Sequence, residues 1–347
     1  MLVHIASLDD RERWDAFVLS HKDAGPYHLF AWGRAVQSAY RHRLFYLIAE
    51  EDNRSVCGVL PLIRVKPPCL PGRIVSLPFC DYGGVLAHDV ETAKQLIRYA
   101  CSLASGLRCA LEIRSKSLEP ALKSEGGLGM FTHKSRMVLE LPENSDILWN
   151  VFKSKLRSQI RRPQKDGLEF VLGGQSLVDE FYQVFCANMR ELGSPVHSRS
   201  WIHDLIAAFG ERSRVGVVYR GTTPVAGGII VTCRGTMTLP WASSLSSHSK
   251  SSPNMLLYWG LLKYASDNGY RVFDFGRSTP GEGTYKFKAQ WGALPSPLYW
   301  YGTGFSSQEP TAMADSRVRK AIEGIWARLP QRVADAVGPV VRRYITL

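Results

Sequence analysis

One short pattern occurs twice in this chain, and it restricts the folds that the chain can adopt. Gly106-Leu107-Arg108 is followed by Arg114-Ser115, and Gly269-Tyr270-Arg271 is followed by Arg277-Ser278. In both copies the second arginine, Arg114 or Arg277, stands eight residues after the glycine. A stretch with helical periodicity precedes each copy, and a strand-like run ends at this arginine. The pattern predicts a duplicated α/β unit, and two unrelated helix–strand junctions remain the alternative.

Each half of the chain contains a hairpin signature, then a helical stripe and then a short strand that ends in the repeated pattern. The hairpins are predicted at 44–51 with 55–65 and at 214–220 with 225–232, the helices at 90–104 and 254–268, and the strands at 109–114 and 271–276. The expected fold class is α/β (α+β). The predicted domains are 1–142 and 143–305, followed by an amphipathic helical tail at 306–347.

Composition favours a folded protein with anionic partners. The chain has 347 residues, of which 45% are apolar, so it can bury the cores of about two domains. Its net charge of +12 favours phosphate-bearing substrates, RNA or an acidic membrane surface, without choosing among them. The seven cysteines form no C-x-x-C pair, and the N-terminus has no apolar signal core, so we expect a cytosolic protein.

The second repeated strand leads into the segment with the most concentrated chemistry. Asp274 and Arg277 end the strand, a Gly/Pro turn follows, and Tyr285-Lys286-Phe287-Lys288 comes next. Read as a strand, this stretch would point Tyr285 and Phe287 inward and both lysines to the other face. Such cations on rigid strand ends suit an anionic group or a developing oxyanion, and a hairpin with solvated lysines explains them equally well.

Three further features qualify as binding elements. Lys153, Arg157 and Arg161 stack along one line of a predicted helix at 147–161, where they can hold phosphates or form a solvated face. Asp81 and Tyr82 precede a double glycine that permits close approach of a ligand or simply turns the chain. Asn254 opens the helix at 254–268, whose N-terminus can hold an anion.

The sequence lacks the motifs of several well-known metal, nucleotide and hydrolase sites. The nine histidines have no metal-ligand spacing, and no G-x-S-x-G, G-x-G-x-x-G or Walker motif occurs. We therefore expect no metal and no tightly bound cofactor.

Several segments together resemble the FemAB-like proteins associated with exosortase/PEP-CTERM and exopolysaccharide loci. They are 271–278, 283–293, Pro253-Asn254, 188–195 and 77–84. The resemblance covers nearly the whole chain and implies two GNAT-like (N-acyltransferase) domains, with mixed sheets flanked by helices.

The resemblance also implies a chemistry. The best-known members of this family transfer an amino acid from aminoacyl-tRNA to the peptide amine of a peptidoglycan precursor. A lysine after a phenylalanine, in the closing strand of the second domain, stabilises their oxyanion, and the matching positions here are Phe287 and Lys288. The helical-hairpin insertion common in the tRNA-dependent members is absent from this sequence, so aminoacyl-tRNA, acyl-CoA and other activated acyl donors all stay open.

The sequence thus favours an acyl- or aminoacyltransferase that forms an amide on an amine of a cell-envelope or exopolysaccharide-related intermediate. Lys288 and Asp274 are the expected catalytic residues. The expected substrate-binding residues are Arg277, Tyr285, Phe287, Trp291, Asn254, Asp81, Tyr82, Arg157 and Arg161. The expected partners are a phosphate-bearing glycan or peptide intermediate, tRNA as one candidate donor, and the inner face of the membrane as a peripheral contact. A non-catalytic GNAT-like adaptor that binds a polyanionic glycan or membrane surface is the alternative function.

Overall fold

The computed structural model describes residues 1–124, 128–303 and 316–347. Contacts divide the chain into two compact units. The first contains Met1–Ser135, Pro297–Ser316 and Arg343–Leu347, and the second contains Arg136–Ser296 and Arg317–Arg342. Each unit is built on one mixed sheet flanked by helices, as the α/β prediction requires.

The first unit has an eight-stranded sheet in the order β1-β2-β3-β4-β6-β15-β7, with β5 paired to β3. Its strands are β1 (Leu2–Ile5), β2 (Arg43–Glu50), β3 (Val56–Val65), β4 (Arg73–Val75), β5 (Leu86–Ala87), β6 (Ala110–Ser115), β7 (Leu128–Phe131) and β15 (Tyr299–Thr303). Its helices are α1 (Arg11–Ser20), α2 (Phe30–Tyr40), α3 (Val90–Gly106) and α4 (Pro120–Ser124).

Helix α3 organises the core of the first unit. Asp89 caps its N-terminus by accepting a hydrogen bond from the backbone N–H of Thr92 at 2.8 Å. Its apolar stripe, including Leu96 and Ile97, packs on the strand residues Leu60 and Ile113. The helical period of the stripe therefore sets which face of α3 meets the sheet.

The second unit has a seven-stranded sheet in the order β14-β8-β13-β12-β11-β10-β9. Its strands are β8 (Ser135–Glu140), β9 (Leu168–Gly173), β10 (Ser213–Arg220), β11 (Thr223–Cys233), β12 (Thr236–Ser244), β13 (Val272–Ser278) and β14 (Leu294–Pro297). Its helices are α5 (Ser145–Val151), α6 (Ser154–Lys165), α7 (Val178–Glu191), α8 (Arg199–Phe209), α9 (Pro253–Asp267), α10 (Gly283–Ala289), α11 (Ser316–Ala327) and α12 (Gln331–Arg342). Leu257 and Leu261 of α9 join Phe273 and Phe275 of β13 in its main core.

The two units share one construction around the repeated pattern. In the first, β4 and β6 pair in parallel over three residues, from Arg73 with Ala110 to Val75 with Glu112. In the second, β12 and β13 pair in parallel over three residues, from Thr236 with Val272 to Thr238 with Asp274. A helix, α3 or α9, precedes the second strand of each pair. The predicted duplication is thus a repeated pair of parallel strands joined through a helix.

The structure corrects two local predictions. Tyr285-Lys286-Phe287-Lys288 lies on helix α10, and the strand predicted there was wrong. Four alternating residues are too short a stretch to separate the two periods. Phe287 on α10 and Trp291 just after it both contact the ring of Tyr258. The helix predicted at 147–161 is broken at Phe152 and Lys153, whose backbones are not helical, and the ring of Phe152 packs against Trp291 at this break.

The domain boundaries at 142/143 and 305/306 stay predictions. The second of them lies outside the described residues. The compact units are discontinuous in sequence, since β15 belongs to the first sheet although it follows the strands of the second.

The arginine of the first repeat is fully buried and holds the end of the chain. Arg114 pairs with Glu112, whose Oε1 accepts from Nε at 2.7 Å. Its Nη1 and Nη2 donate to the carbonyl and hydroxyl oxygens of Thr346 at 2.9 and 3.0 Å. The carbonyls of Leu77 and Cys80 accept further hydrogen bonds from Nη1.

Two arginines on the same carboxylate give a matched test of this network. Arg114→Met leaves Glu112 and the carbonyls around it poorly compensated in the interior, and we expect it to lower the free energy of unfolding by about 3–5 kcal/mol. Arg73 also contacts Glu112, at 2.9 Å, but its side chain is 45% exposed, so Arg73→Met should cost about 0–1 kcal/mol. Urea denaturation of the two variants measures both values, and equal losses would contradict the assigned roles.

Candidate functional site

The parallel pair β12–β13 stops partway along both strands. Its three pairs end at Thr238 and Asp274, yet β12 continues to Ser244 along β11 and β13 continues to Ser278. Past these pairs the two strands no longer share ladder hydrogen bonds. Ligands of α/β sheets commonly bind beyond the carboxyl ends of parallel strands, and this point is such an end. The residues after Thr238 and Asp274 therefore form the candidate site.

Asp274 is a buried carboxylate with two defined partners. Its Oδ2 accepts from Nη1 of Arg136 at 2.8 Å, and its Oδ1 accepts from the backbone N–H of Gly276 at 2.9 Å. Phe273 and Phe275 turn into the core, so Asp274 lies on the other face of the sheet. The carboxylate thus ties β8 to β13 and shapes the backbone two residues ahead of it.

Gly276 has a left-handed backbone, with φ at 73°, and its peptide groups are held on both sides. Its N–H donates to Asp274, and its carbonyl accepts from Nζ of Lys288 at 3.1 Å. Lys288 Nζ also donates to the carbonyl of Arg277 at 2.8 Å. A residue with a Cβ is strained at such a φ, so glycine suits this bend.

Lys288 reaches these carbonyls from helix α10, and only 8% of the residue is exposed. A buried ammonium that spans two consecutive carbonyls fixes a positive charge at the end of β13. The network Arg136–Asp274–Gly276–Lys288 therefore preorganises both the backbone and the charge of the site.

Sequence reasoning missed Arg136 because its partner lies 138 residues further along the chain. The available signal was a cation at the start of the largely apolar run 136–141, next to the core residue Met137. A charge in a half-buried strand needs a partner, and Asp274 provides it.

Three aromatic residues predicted to bind substrate pack in or against the core of the second unit. Phe287 contacts Tyr258 edge-on at 4.9 Å between ring centroids, and Trp291 lies 6.1 Å from the same ring. Tyr285 is half-buried against the same core. Burial raises the pKa of Tyr258 well above its ordinary value, so its phenol stays neutral at physiological pH.

Polar atoms around the parallel pair lack protein partners. The Oδ1 of Asn254, the Oγ of Ser278 and the Oγ1 of Thr238 are buried, with no hydrogen-bond partner among the described residues. Thr238 pairs with Asp274 in register, Ser278 ends β13, and Asn254 opens α9. Buried polar atoms without partners are rare in folded proteins, and a bound polar ligand is one way to satisfy them.

The remaining predicted residues lie elsewhere. Asp81 and Tyr82 belong to the first unit, where Tyr82 is 1% exposed beside Tyr27 and the Asp81 carbonyl accepts from the indole of Trp300 at 3.2 Å. On α6, Arg157 is half-buried, and Arg161 is exposed with its guanidinium 5.2 Å from the ring of Trp149.

No group of three or more His, Cys, Asp or Glu is arranged to hold a metal ion within the described parts of the chain. None of the described helices is both long enough and apolar enough to cross a membrane.

Comparisons with known proteins bear on the fold. Residues 151–289 match the model of the acetyltransferase (GNAT) domain. That segment contains β12, α9, β13 and Lys288. No curated protein matches the chain in sequence.

Three solved structures are similar in fold to this chain over most of its length. FemX has a TM-score of 0.69 at 15% identity, covering 90% of this chain and 99% of its own. L-PGS from Bacillus licheniformis has a TM-score of 0.61 at 13% identity, covering 99% and 98%. A tandem GNAT protein from the clavulanic acid biosynthesis pathway has a TM-score of 0.55 at 13% identity, covering 88% and 99%. The predicted fold class, two GNAT-like domains of mixed sheets and helices, is confirmed.

The Arg136–Asp274 pair generates a stability test. Arg136→Met leaves a buried carboxylate uncompensated, and we expect the free energy of unfolding to fall by about 3–5 kcal/mol. The double variant Arg136→Met/Asp274→Asn removes that charge and should recover part of the loss. Arg271→Met, an exposed change just before the same strand, is the control and should stay within about 0.5 kcal/mol. Urea denaturation measures all three, and a stable Arg136→Met would refute the structural role of the pair.

His28, whose ring lies beside that of Tyr82, allows a test of how the free energy of unfolding depends on pH. Burial lowers the pKa of His28 from 6.5 to about 3, and Lys116 acts in the same direction. Between these values the unfolded chain binds a proton that the folded chain does not, so stability is full above pH 6.5 and falls as the pH drops towards 3.

His28→Gln should therefore reduce the slope of unfolding free energy against pH by about 1.4 kcal/mol per unit between pH 4 and 6. Urea denaturation at several pH values gives this slope. An unchanged slope would show that His28 titrates alike in both states.

Proposed function

We propose that the protein is an acyl- or aminoacyltransferase that forms an amide on an amine of a cell-envelope or exopolysaccharide-related intermediate. The observation that carries this proposal is the Lys288 ammonium, held by the carbonyls of Gly276 and Arg277 where the β12–β13 ladder has ended. The match of residues 151–289 to the GNAT acetyltransferase model supports acyl transfer as the reaction class.

In the proposed reaction the amine attacks the activated carbonyl of the donor. A C–N bond forms, the carbonyl oxygen becomes an oxyanion, and the amine proton leaves to solvent or to the departing group as the bond to that group breaks. Lys288 supplies positive charge near the oxyanion. Such a group contributes about 3–4 kcal/mol when it is fixed before the reaction, because no reorganisation is then needed.

Asp274 serves in this proposal as a positioning residue. Both of its oxygens are engaged, by Arg136 and by the Gly276 N–H, and it is fully buried. It holds the bend that presents the Gly276 and Arg277 carbonyls to Lys288. This burial favours a positioning role over the catalytic role expected from the sequence.

Polar groups near the ladder end are proposed to bind the substrates. Arg277 binds a phosphate, and Asn254 and Ser278 meet the donor or acceptor with atoms that have no hydrogen-bond partner in the part of the chain that the structure describes. Tyr285, Phe287 and Trp291 support α10 from the core. Asp81, Tyr82, Arg157 and Arg161 remain proposed contacts of the acceptor and its phosphates.

Both classes of donor are retained in the proposal. The GNAT match favours an acyl-CoA, whereas the similarity to FemX and to L-PGS favours aminoacyl-tRNA and an envelope acceptor. The protein is proposed to act in the cytoplasm on a phosphate-bearing glycan or peptide, in peripheral contact with the membrane.

Lys288→Met tests the proposal. Purified protein is incubated with acetyl-CoA or with tRNA charged with radiolabelled amino acids, together with an extract of lipid-linked and soluble envelope intermediates, and amide product is measured. We expect turnover to fall at least about 100-fold. Lys286→Met, an exposed change two residues away on α10, should keep normal turnover.

Lys288→Gln separates charge from structure, because it keeps a hydrogen-bond donor for the carbonyls and loses the positive charge. It should fold normally by thermal unfolding and still lose most of the turnover. Normal turnover in both Lys288 variants would rule out the proposed role. Salt-sensitive binding of a polyanionic glycan, without product from any donor, would instead indicate the adaptor function.

A further inference from the structure

The second unit contains a groove of about 730 Å³ that takes no part in the network described above. Its walls are the end of β8, the junction of α5 with α6, and the residues that follow α10. The volume lies in the range of sites that hold small molecules.

The floor of the groove is apolar. Leu148, Phe152, Leu156 and Trp291 line it and belong to the core of the second unit. Val151 also lines it, although this residue is 69% exposed. An exposed aliphatic side chain beside an apolar groove favours a ligand with a hydrocarbon part.

The mouth of the groove is cationic. Lys153 and Lys155 line it and are exposed, and they flank the start of α6. The first turn of α6 has no acidic residue and no side-chain cap, so its backbone N–H groups add to the positive potential. Glu140 is the single acidic lining residue, and the lining therefore keeps a net positive charge.

A buried donor in the wall also indicates a ligand. Trp291 is 1% exposed and lines the groove, and its indole Nε1 has no hydrogen-bond partner among the described residues. Leaving such a group unsatisfied costs about 1–3 kcal/mol, so this wall of the groove is not optimised for the empty state.

We propose that this groove binds an anionic amphiphile, consisting of one hydrocarbon chain with a phosphate at its end. The phosphate lies between Lys153, Lys155 and the first turn of α6, where both point charges and backbone N–H groups are available. The chain lies on Leu148, Phe152 and Leu156. A purely polar ligand would leave the apolar floor without a partner, and a purely apolar ligand would leave the two lysines without one.

The chemical class has a consequence for the acceptor. Lipid-linked sugar phosphates are anionic amphiphiles of this kind. The groove would therefore hold the lipid carrier of the acceptor while the amine of the acceptor reacts near Lys288. This extension rests on the proposed function. The binding site itself does not, because it is argued from the groove alone.

Dodecyl phosphate below its critical micelle concentration is the probe, and calorimetry of the full chain without any acyl donor is the measurement. We expect saturable binding of one molecule, with dodecanol and inorganic phosphate each binding at least about 10-fold more weakly. Equal binding of dodecanol, or no binding of dodecyl phosphate, would overturn the proposal.

Paired substitutions test the position of the ligand. Lys153→Gln/Lys155→Gln should weaken dodecyl phosphate binding at least about 10-fold. Arg162→Gln/Lys165→Gln removes the same charge from exposed residues of α6 that do not line the groove, and it should change binding less than about twofold. If the two double variants weaken binding equally, binding depends only on the net charge of the protein, and the proposed position of the phosphate is wrong.

Further variants separate this inference from the proposed function. Val151→Asp, an exposed change, should weaken binding of the alkyl phosphate without lowering thermal stability. Lys288→Met should bind dodecyl phosphate normally. No binding of dodecyl phosphate by the unsubstituted protein, with intact turnover, would refute the groove alone, whereas normal turnover of Lys288→Met would refute the transferase alone. Binding to phosphatidylglycerol vesicles without binding of dodecyl phosphate would indicate a membrane contact and overturn the groove proposal.

Discussion

The buried ammonium of Lys288 on the carbonyls of Gly276 and Arg277 is the interaction on which the candidate site depends. The carbonyls at this end of β13 have left the parallel ladder, and buried backbone acceptors need donors. Lys288 supplies them from α10, while the carboxylate of Asp274 satisfies the Gly276 N–H. Satisfying the backbone thus brings a fixed positive charge to the place where a ligand of an α/β sheet is expected.

Local patterns predicted several of the elements and the pair of matching strand ends. The stripe of α3 and the hairpin of β2 with β3 follow the periods of their apolar residues, and the arginines 114 and 277 both end strands of parallel pairs. The fold class followed from the repeat and from the resemblance. Period alone failed at Tyr285–Lys288, since four residues are too few to separate a helical period of 3.6 from a strand period of 2.

The contacts of the site were harder to predict because they join distant segments. Arg136 is remote in sequence from Asp274, and no local pattern connects them. The importance of Asp274 and Lys288 could be inferred from their residue types and neighbours. Their actual partners depend on the positive φ of Gly276 and on the order of strands in the sheet, and both are properties of the folded chain.

The place of Thr346 on the guanidinium of Arg114 has a consequence for synthesis on the ribosome. β15 lies between β6 and β7, so the first sheet also needs a strand that is translated after all strands of the second sheet. Nascent domains ordinarily fold in the order in which they emerge. Here the first unit must wait for β15 and for Thr346, whereas the second sheet has all its strands available earlier.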